Sequence, residues 1–351
     1  MHNPYTDFDE SNILGYLASR GLISDPRGAT AHALAWGVSN VVLRIHCIDR
    51  PDFVVKQSRS QLRTKADWFS RPDRIYREVD VMRCLSPLLP AGVIPRVDFE
   101  DRSQFLFAME AVPADHRVWK GELLAGAVDL SLAERLGSIL AAIHQSTADR
   151  DDLREQLGDR EVFDELRLDP FYRYLQRKHP PLERTLQELI DETLSKSLCV
   201  VHADFSPKNI LLHGGDLTLV DFETGHFGDP SFDLGFFLSH ILLKAVGRPQ
   251  WPAQFIPLAE RFWDRYTTER QFDESADEMH DSSRDFTRRS LRHLSACLLA
   301  RVDGKSPVDY LSDGPQKDFI RQWSSENLLK HDSDFHRYLD EFSRRLSARG
   351  I

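Results

Sequence analysis

The chain has 351 residues, 41% of them hydrophobic and 28% charged, a composition typical of a soluble globular protein with a large buried core. Asp and Glu number 55 against 45 for Lys and Arg, and the resulting net charge of −10 argues against binding to nucleic acid or to an anionic membrane. No apolar run reaches the roughly 18 residues of a membrane span, and the four cysteines show no CxxC spacing. We therefore expect a cytoplasmic protein with reduced thiols.

The first third of the sequence predicts a small β-rich region built around one helix. The helix is predicted over 74–85, where Ile75, Val79, Met82 and Leu85 recur at helical spacing. Short runs rich in β-branched and aromatic residues lie on either side of it, separated by turn residues. The predicted strands are 31–36, 41–48 and 53–56 before the helix, and 94–99 and 104–111 after it.

Beyond Pro113 the pattern changes to helices, interrupted by two short β runs at 198–202 and 209–220. Ser131 followed by Glu134 predicts a capping box at the start of the first long helix. The predicted helices are 131–144, 170–177, 182–196, 232–246, 253–266, 286–300 and 316 to the end.

One segment carries the chemistry. His202, Asp204 and Asn209 form an H-x-D-x-x-x-x-N pattern, and an apolar strand then leads to Asp221-Phe222-Glu223. Phosphoryl transfer needs a carboxylate that orients the acceptor hydroxyl or takes its proton, which is the role predicted for Asp204. It also needs hard oxygen ligands for Mg²⁺, which are Asn209 and Asp221 in this prediction. Packing of His202 is expected to fix the loop.

This segment resembles the catalytic loop of the aminoglycoside phosphotransferase and choline kinase superfamily, which are small-molecule kinases with a protein-kinase-like fold. Residues 228–235, G-D-P-S-F-D-L-G, match the family's G-D-P-x-x-D-L-[AG] motif, and the resemblance implies that Asp233 buttresses the loop. It implies an α+β, bilobal fold. The small lobe, 1–112, would hold an antiparallel sheet with one main helix, and the larger lobe, 113–351, would be mostly helical with a small catalytic β island.

The same resemblance implies that the small lobe binds ATP. Lys56, at the end of a predicted strand, fits the lysine that contacts the α- and β-phosphates, and Glu78 on the following helix fits its ion-pair partner. The turn at 37–40 fits the segment that covers the phosphates, with Ser39 and Asn40 approaching them. It is not a G-x-G-x-x-G loop.

The last strand of the small lobe predicts the adenine contact. By resemblance, the linker between the lobes begins where 106–112 ends, and the carbonyl of Glu110 and the amide of Val112 would hydrogen-bond the adenine edge. Backbone groups at a strand end suit the recognition of a flat base. The alternative interpretation of this segment is a plain core strand.

The acceptor is less well defined by the sequence. V-K-Q at 55–57, followed by an insertion with Trp68 ahead of Glu78, is similar to methylthioribose kinases, although those enzymes typically carry Ser where Asn209 stands. Glu223, within the shared D-x-E element, is a further candidate substrate residue. So are Arg301 and Asp303, in a polar segment at 300–307. The alternative for this segment is a helix C-cap with a turn at Gly304. Glycine is common just after the end of a helix, and basic residues are favoured in its last turn.

The leading interpretation is an ATP- and Mg²⁺-dependent kinase that phosphorylates a hydroxyl group of a small metabolite such as methylthioribose, an amino alcohol or an aminoglycoside. The alternative is a catalytically silent, nucleotide-binding regulatory pseudokinase. A protein kinase is disfavoured because 221–223 lacks the glycine of D-F-G and no A-P-E element follows. The expected partner is a small molecule, without nucleic acid or membrane, and a homodimer is possible.

Overall fold

The computed structural model describes residues 5–34, 40–59, 71–248, 252–272, 282–330 and 332–350. Its strands are β1 Ala29–Ala33, β2 Asn40–Cys47, β3 Phe53–Ser58, β4 Val97–Asp101, β5 Leu106–Glu110, β6 Arg117–Val118, β7 Cys199–Val201, β8 Ile210–His213, β9 Asp216–Leu219 and β10 His226–Gly228. Its α-helices are α1 Ile13–Ser19, α2 Arg74–Leu85, α3 Trp119–Leu124, α4 Leu130–Thr147, α5 Asp151–Leu157, α6 Glu161–Phe163, α7 Tyr174–Lys178, α8 Glu183–Ser195, α9 Pro230–Gly247, α10 Pro252–Glu269, α11 Ser283–Asp303, α12 Pro315–Leu328 and α13 Phe335–Ala348. A π-helical segment, Asp164–Arg173, joins α6 to α7.

The chain divides into two compact units. The first, called the sheet unit here, contains Met1–Arg117 and Leu211–Thr224, and the second, the helical unit, contains Val118–Ile210 and Gly225–Ile351. The sequence predicts 113–351 as one continuous domain, whereas the structure packs the segment Leu211–Thr224 with the sheet unit. Backbone contacts explain this placement, because the Leu219 amide donates to the Val93 carbonyl at 2.7 Å.

Five antiparallel strands form the main sheet, in the order β1-β2-β3-β5-β4. The central strand β3 pairs with β2 and β5, and Lys56 lies opposite Val42 on one side and Phe107 on the other. Side chains alternate between the faces of a strand, so Val55 packs in the core formed with α1 while its neighbour Lys56 points to the opposite face. The predicted antiparallel sheet with one main helix is confirmed, and α2 has the predicted bounds.

Helix packing dominates the helical unit. The helices α9 and α11 approach closely at Gly235, where a Cβ atom would lie 2.4 Å from the Cβ atom of His293. The helices α4 and α10 approach in the same way at Gly137, where a Cβ atom would lie 2.7 Å from the Phe262 carbonyl oxygen. Since no larger side chain fits at either point, the two glycines set the distance between these helix pairs.

Two local predictions were wrong. The cap of α4 is Asp129, whose carboxylate accepts hydrogen bonds from the amides of Ser131 and Leu132, so the helix begins before the predicted capping box. The single helix predicted from 316 to the end is two helices, because Asp334 caps a new helix by accepting from the Arg337 amide at 3.0 Å.

The cysteines and the helix lengths bear on two expectations from the composition. The four cysteines are free thiols, and three of them, Cys47, Cys199 and Cys297, are buried. Within the described part of the chain, none of the helices has both the length and the apolar character needed to cross a bilayer.

Candidate active site

The loop that carries Asp204 is hydrogen-bonded to one buried carboxylate, that of Asp233. The loop follows β7. Its first two amides, those of His202 and Ala203, donate to Asp233 Oδ2 and Oδ1 at 2.8 and 2.7 Å. Asp233 lies in the first turn of α9 and is completely buried. Two backbone hydrogen bonds to one carboxylate fix the peptide planes just before Asp204. The Asp233 carboxylate therefore supports the backbone of this loop.

A buried histidine completes this support. His144 Nε2 lies 3.2 Å from Asp233 Oδ2, and its Nδ1 lies 2.8 Å from the Tyr266 hydroxyl. Burial alone would raise the pKa of Asp233, but the hydrogen bond from His144 and the bonds from the loop outweigh it, and the pKa is lowered. The pKa of His144 is lowered chiefly by burial. Asp233 is therefore held as a carboxylate.

The Asp204 side chain is nearly inaccessible and has several partners. Arg167 Nη2 lies 2.8 Å from its Oδ1, and Lys208 Nζ lies 2.8 Å from its Oδ2. The Asn209 amide nitrogen donates to the Asp204 carboxylate at 2.8 Å and to its carbonyl at 2.9 Å. The Asp204 amide donates to His202 Nδ1 at 3.2 Å, so the imidazole lies under the loop and closes it.

The backbone in front of Asp204 is strained. Ala203 has φ 56°, a left-handed conformation that costs a residue with a Cβ atom about 1 kcal/mol. Asp221 itself also has a left-handed backbone conformation, with φ 71°. Strained non-glycine residues of this kind concentrate at functional sites, where the surrounding structure over-determines the backbone. Both predicted acidic site residues thus lie at or directly after such a point.

In the sheet unit, Lys56 lies between two carboxylates. Its Nζ is 2.9 Å from Glu78 Oε1, on α2, and 2.7 Å from Asp221 Oδ1. The Lys56 side chain is 6% exposed, Glu78 is 1% exposed and Asp221 is 22% exposed. The ion pair between Lys56 and Glu78 expected from the sequence is therefore present, and Asp221 is the member of the group that solvent reaches.

Negative charge exceeds positive charge in the group formed by Lys56, Glu78 and Asp221. Burial opposes the charge of Lys56, but Asp221, Glu78 and Glu223 outweigh it and raise the lysine pKa. Burial raises the pKa of Glu78, and the charges of Asp221 and Glu223 act in the same direction against Lys56. The group therefore has an excess of negative charge, which a bound cation would relieve.

Glu223 is bonded within the sheet unit. Its Oε2 accepts from Asn40 Nδ2 at 2.9 Å and from Arg74 Nε at 3.2 Å, and Arg74 Nη2 also donates to Asn40 Oδ1 at 3.2 Å. These three buried side chains tie β2 and α2 to the segment that carries Asp221. The Glu223 carboxylate and the Asn40 amide are both engaged in that triangle, although the sequence suggests a substrate contact for one and a phosphate contact for the other.

The remaining nucleotide-site candidates lie at strand ends or outside the described residues. Ser39, with the rest of 37–39, and the insertion around Trp68 lie outside the described residues. Glu110 ends β5 with an exposed side chain. The Val112 carbonyl accepts from Arg44 Nη1 at 2.8 Å.

The side chains of the polar segment 300–307, which begins in the last turn of α11, lie in two environments. Asp303 is buried and binds Lys178 at 3.1 Å, His179 at 3.0 Å and Arg321 at 3.0 Å. These contacts join α7, α11 and α12, and they match the helix-end interpretation of this segment rather than a substrate contact by Asp303. Helix α11 ends at Asp303, and the Gly304 amide donates to Ala300 at 2.8 Å.

Arg301 lies in the other environment. Its Nη1 donates to the carbonyl and hydroxyl of Ser306. Burial lowers the pKa of Arg301, and the charges of Tyr310 and Asp204 act in the opposite direction. The Arg301 guanidinium is therefore bonded to the loop that follows α11.

A family model described as the phosphotransferase enzyme family, APH, matches residues 30–274, well over half of the chain. The chain belongs to this family. The matched range includes the loop that carries Asp204, the Asp221 segment and Asp233. The superfamily predicted from the loop motif is confirmed, and so is the conclusion that the protein is a phosphotransferase.

Named relatives and a solved structure are similar to this chain. Methylthioribose kinase of Cronobacter sakazakii is 27% identical over 277 residues, which cover 70% of this chain and 68% of that protein. Methylthioribose kinase of Pectobacterium atrosepticum is 25% identical over 276 residues, with the same coverage. The structure of amicoumacin kinase hAmiN in complex with AMP-PNP, Ca²⁺ and Ami superposes with a TM-score of 0.54 and 15% identity, covering 94% of this chain and 97% of that one, which shows a shared fold.

The structure adds residues of this family member that the sequence did not single out. Arg167 reaches Asp204 from the π-helical segment, a rare element that is frequent at functional sites. Lys208 lies four residues after Asp204, so its position in the motif was the available signal. Lys244 is the one lysine of α9 and interrupts the apolar run 241–246, and that contrast could have identified it.

Proposed function

We propose that this protein transfers the γ-phosphoryl group of ATP to a hydroxyl group of a small metabolite. The observation that carries the proposal is the buried cluster of Lys56, Glu78 and Asp221, in which one ammonium group lies between two carboxylates at 2.9 and 2.7 Å. A buried lysine fixed at its tip is preorganised to contact phosphate oxygens. The membership of the chain in a phosphotransferase family supports the same role.

Asn209 and Asp221 are proposed as magnesium ligands on the chemistry of their donor atoms. Asp221 supplies a carboxylate and Asn209 an amide oxygen, both hard donors of the kind Mg²⁺ prefers, and a site with few protein ligands leaves positions for phosphate oxygens and water. The Asn209 amide nitrogen already donates to Asp204, which orients the amide. When bound, the ion would neutralise the charge on the phosphates.

Asp204 is proposed to orient the acceptor hydroxyl and to take its proton. Its carboxylate is held by Arg167 and Lys208, and its backbone by Asp233 through the two preceding amides. Such rigid placement is worth more in phosphoryl transfer than intrinsic basicity, because the reaction depends on alignment and charge stabilisation.

The test is acceptor-dependent release of ADP from ATP and Mg²⁺, with methylthioribose and related pentoses first, followed by amino alcohols and aminoglycosides. Asp204→Asn should lower turnover by about 10²- to 10⁴-fold while leaving nucleotide affinity nearly unchanged. Asp340→Asn, which changes an exposed aspartate on α13, is the matched control and should behave as wild type.

Two outcomes would contradict the proposal. ATP binding without ADP release for any acceptor would favour the silent pseudokinase. Full acceptor-dependent turnover by Asp204→Asn would remove Asp204 from the reaction.

A further inference from the structure

The helical unit contains a group of basic and phenolic side chains that the proposed reaction does not use. Its members, called the cationic cluster here, are His240 and Lys244 on α9, Arg301 at the end of α11, and Tyr310 in the loop that follows. Lys244 is 1% exposed and His240 is 8% exposed, whereas Arg301 and Tyr310 are half-buried.

The cluster is short of partners for its polar atoms. Among the described residues, none hydrogen-bonds to His240 Nε2, Arg301 Nε or Tyr310 Oη, although all three atoms are shielded from solvent. Lys244 Nζ donates to the His240 carbonyl at 2.9 Å and lies 5.6 Å from the centre of the Tyr310 ring. Leaving buried donors unsatisfied costs about 1–3 kcal/mol each, so three such atoms in one place indicate a missing partner.

The charges in the cluster have one sign. The ionised groups that act on Lys244 are Lys120 and Arg301, and together with burial they lower its pKa to about 7. The same two residues, with Lys244 and Lys208, act on His240, whose pKa burial lowers well below its ordinary value. Buried charges in proteins are normally paired. Here, no carboxylate in the described part of the chain forms an ion pair with Lys244 or Arg301.

The cluster lies next to the residue that would orient the acceptor. Arg167 binds Asp204 at 2.8 Å, and its guanidinium carbon lies 5.5 Å from the centre of the Phe236 ring, which is 4.9 Å from the ring of His240. The Arg301 guanidinium lies 6.0 Å from the centre of the Phe171 ring, which stacks on Phe236 at 6.0 Å. A small molecule with its hydroxyl at Asp204 would therefore bring its remaining atoms close to the cationic cluster.

We propose that the acceptor is a hydroxylated small molecule carrying an oxyanion, a carboxylate or a phosphate, which binds to Arg301 and Lys244 and accepts a hydrogen bond from Tyr310. This inference rests on the proposed function for the identity of the transferred group. Arginine matches the planar and bidentate geometry of such anions, and lysine supplies a point charge. A cationic acceptor would meet like charges at this position, and a neutral sugar would leave them unpaired.

One experiment compares acceptors that share a carbon skeleton. Gluconate and glucose 6-phosphate supply the two oxyanions, while glucose is neutral and glucosamine is cationic. Equivalent sets are built on pentose and glycerol skeletons. Among compounds that stimulate ADP release, the anionic member of each set should have the highest kcat/KM. Preference for the neutral or cationic member would overturn the inference while leaving the proposed function intact.

A second experiment does not need turnover. With AMP-PNP present, the unfolding temperature is measured in increasing phosphate and, separately, gluconate, against chloride at equal ionic strength. Lys244→Met should require at least tenfold more oxyanion than wild type for the same rise, and Tyr310→Phe should require a few-fold more. Lys330→Met removes an exposed lysine at the end of α12 and serves as the matched control.

The ADP-release assay tests the proposed function, and the unfolding measurement tests the cationic cluster as an anion site. Equal oxyanion responses in wild type and Lys244→Met would overturn the cluster as an anion site, whatever the enzyme assay shows. If no compound in any set stimulates ADP release, the proposed function fails, and the unfolding measurement still decides whether the cluster binds oxyanions. A phosphate response without a gluconate response would assign the acceptor to phosphate esters rather than hydroxy acids.

Discussion

Arg167 contacts the loop of Asp204 at two points. Its Nη2 lies 2.8 Å from Asp204 Oδ1, and its Nε donates to the Ala203 carbonyl at 2.8 Å. The guanidinium therefore fixes both the carboxylate and the peptide before it. We expect Arg167→Met to lower kcat about 10²-fold, the cost of a small misplacement of a reacting group, and Arg167→Lys to recover part of this loss. Steady-state kinetics provide the measurement, and an unchanged kcat in Arg167→Met would assign the contact to stability alone.

Lys56 balances an excess of buried carboxylates. Lys56→Met should destabilise the protein by about 3 kcal/mol, because it leaves Glu78 and Asp221 without their cation, and it should lower turnover at least about 10²-fold. Glu78→Gln removes one negative charge and should cost little stability. The double variant should regain stability without activity in denaturant unfolding and ADP-release assays. Recovery of activity in the double variant would contradict a direct role of Lys56.

We expect Asp233 to act by positioning the loop that carries Asp204, without contacting the substrate. Asp233→Asn keeps one acceptor oxygen but loses the charge that the amides of His202 and Ala203 and the ring of His144 share. We expect about 2 kcal/mol of destabilisation and a kcat lowered 10- to 100-fold, roughly as for other misplaced reacting groups. The KM for the nucleotide should be unchanged. A variant in which KM rises and kcat is unaltered would place Asp233 outside this positioning role.

The stability of the protein should increase at alkaline pH through Lys244. The pKa of Lys244 is lowered to about 7 by burial, with Lys120 and Arg301 acting in the same direction. Between pH 7 and the ordinary lysine pKa, the unfolded chain binds the proton and the folded chain does not, so stability rises with pH. The difference in unfolding free energy between wild type and Lys244→Met should change by at most about 1.4 kcal/mol per pH unit over this window. A difference independent of pH would contradict the buried, unpaired charge.

Asp303 should control part of the acid stability. Burial would raise its pKa, but Arg321 and Lys178 outweigh burial and lower it to about 2. A lowered carboxyl pKa stabilises the folded state above the unfolded value, near 3.8, and that stabilisation is lost as the pH falls towards 2. Asp303→Asn should therefore be less stable at neutral pH by about 2 kcal/mol, with a flatter dependence between pH 4 and 2. Asp340→Asn is the control, and an equal slope in both variants would refute the assignment.

Local patterns predicted the elements that depend on local forces. The bounds of α2 followed from apolar spacing within a single helix, and the loop from His202 to Asn209 followed from one contiguous motif. The start of α4 was missed because Asp129 and Ser131 are both good caps, and a choice between two caps two residues apart depends on the local backbone.

Contacts between distant parts of the chain were beyond local reasoning. Arg167 binds the carbonyl of a residue 36 positions away, and nothing in its own neighbourhood distinguishes it from a surface arginine. The pairing of Lys56 with Asp221, 165 positions apart, was not predicted, because the family resemblance implies only the pairing of Lys56 with Glu78. The sequence predicts a substrate contact for Asp303 because its neighbours are polar, whereas the structure pairs it with Lys178, His179 and Arg321 from other parts of the chain.

Ala203 limits which residues the loop before Asp204 can accept. Its backbone has φ 56°, and its methyl group is completely buried in the core of the helical unit. Glycine would relieve the backbone but vacate the methyl space, and any larger side chain would be both strained and too big. Substitution at this position should therefore be confined to the two smallest amino acids, so that a saturation library screened for expression should return only alanine and glycine.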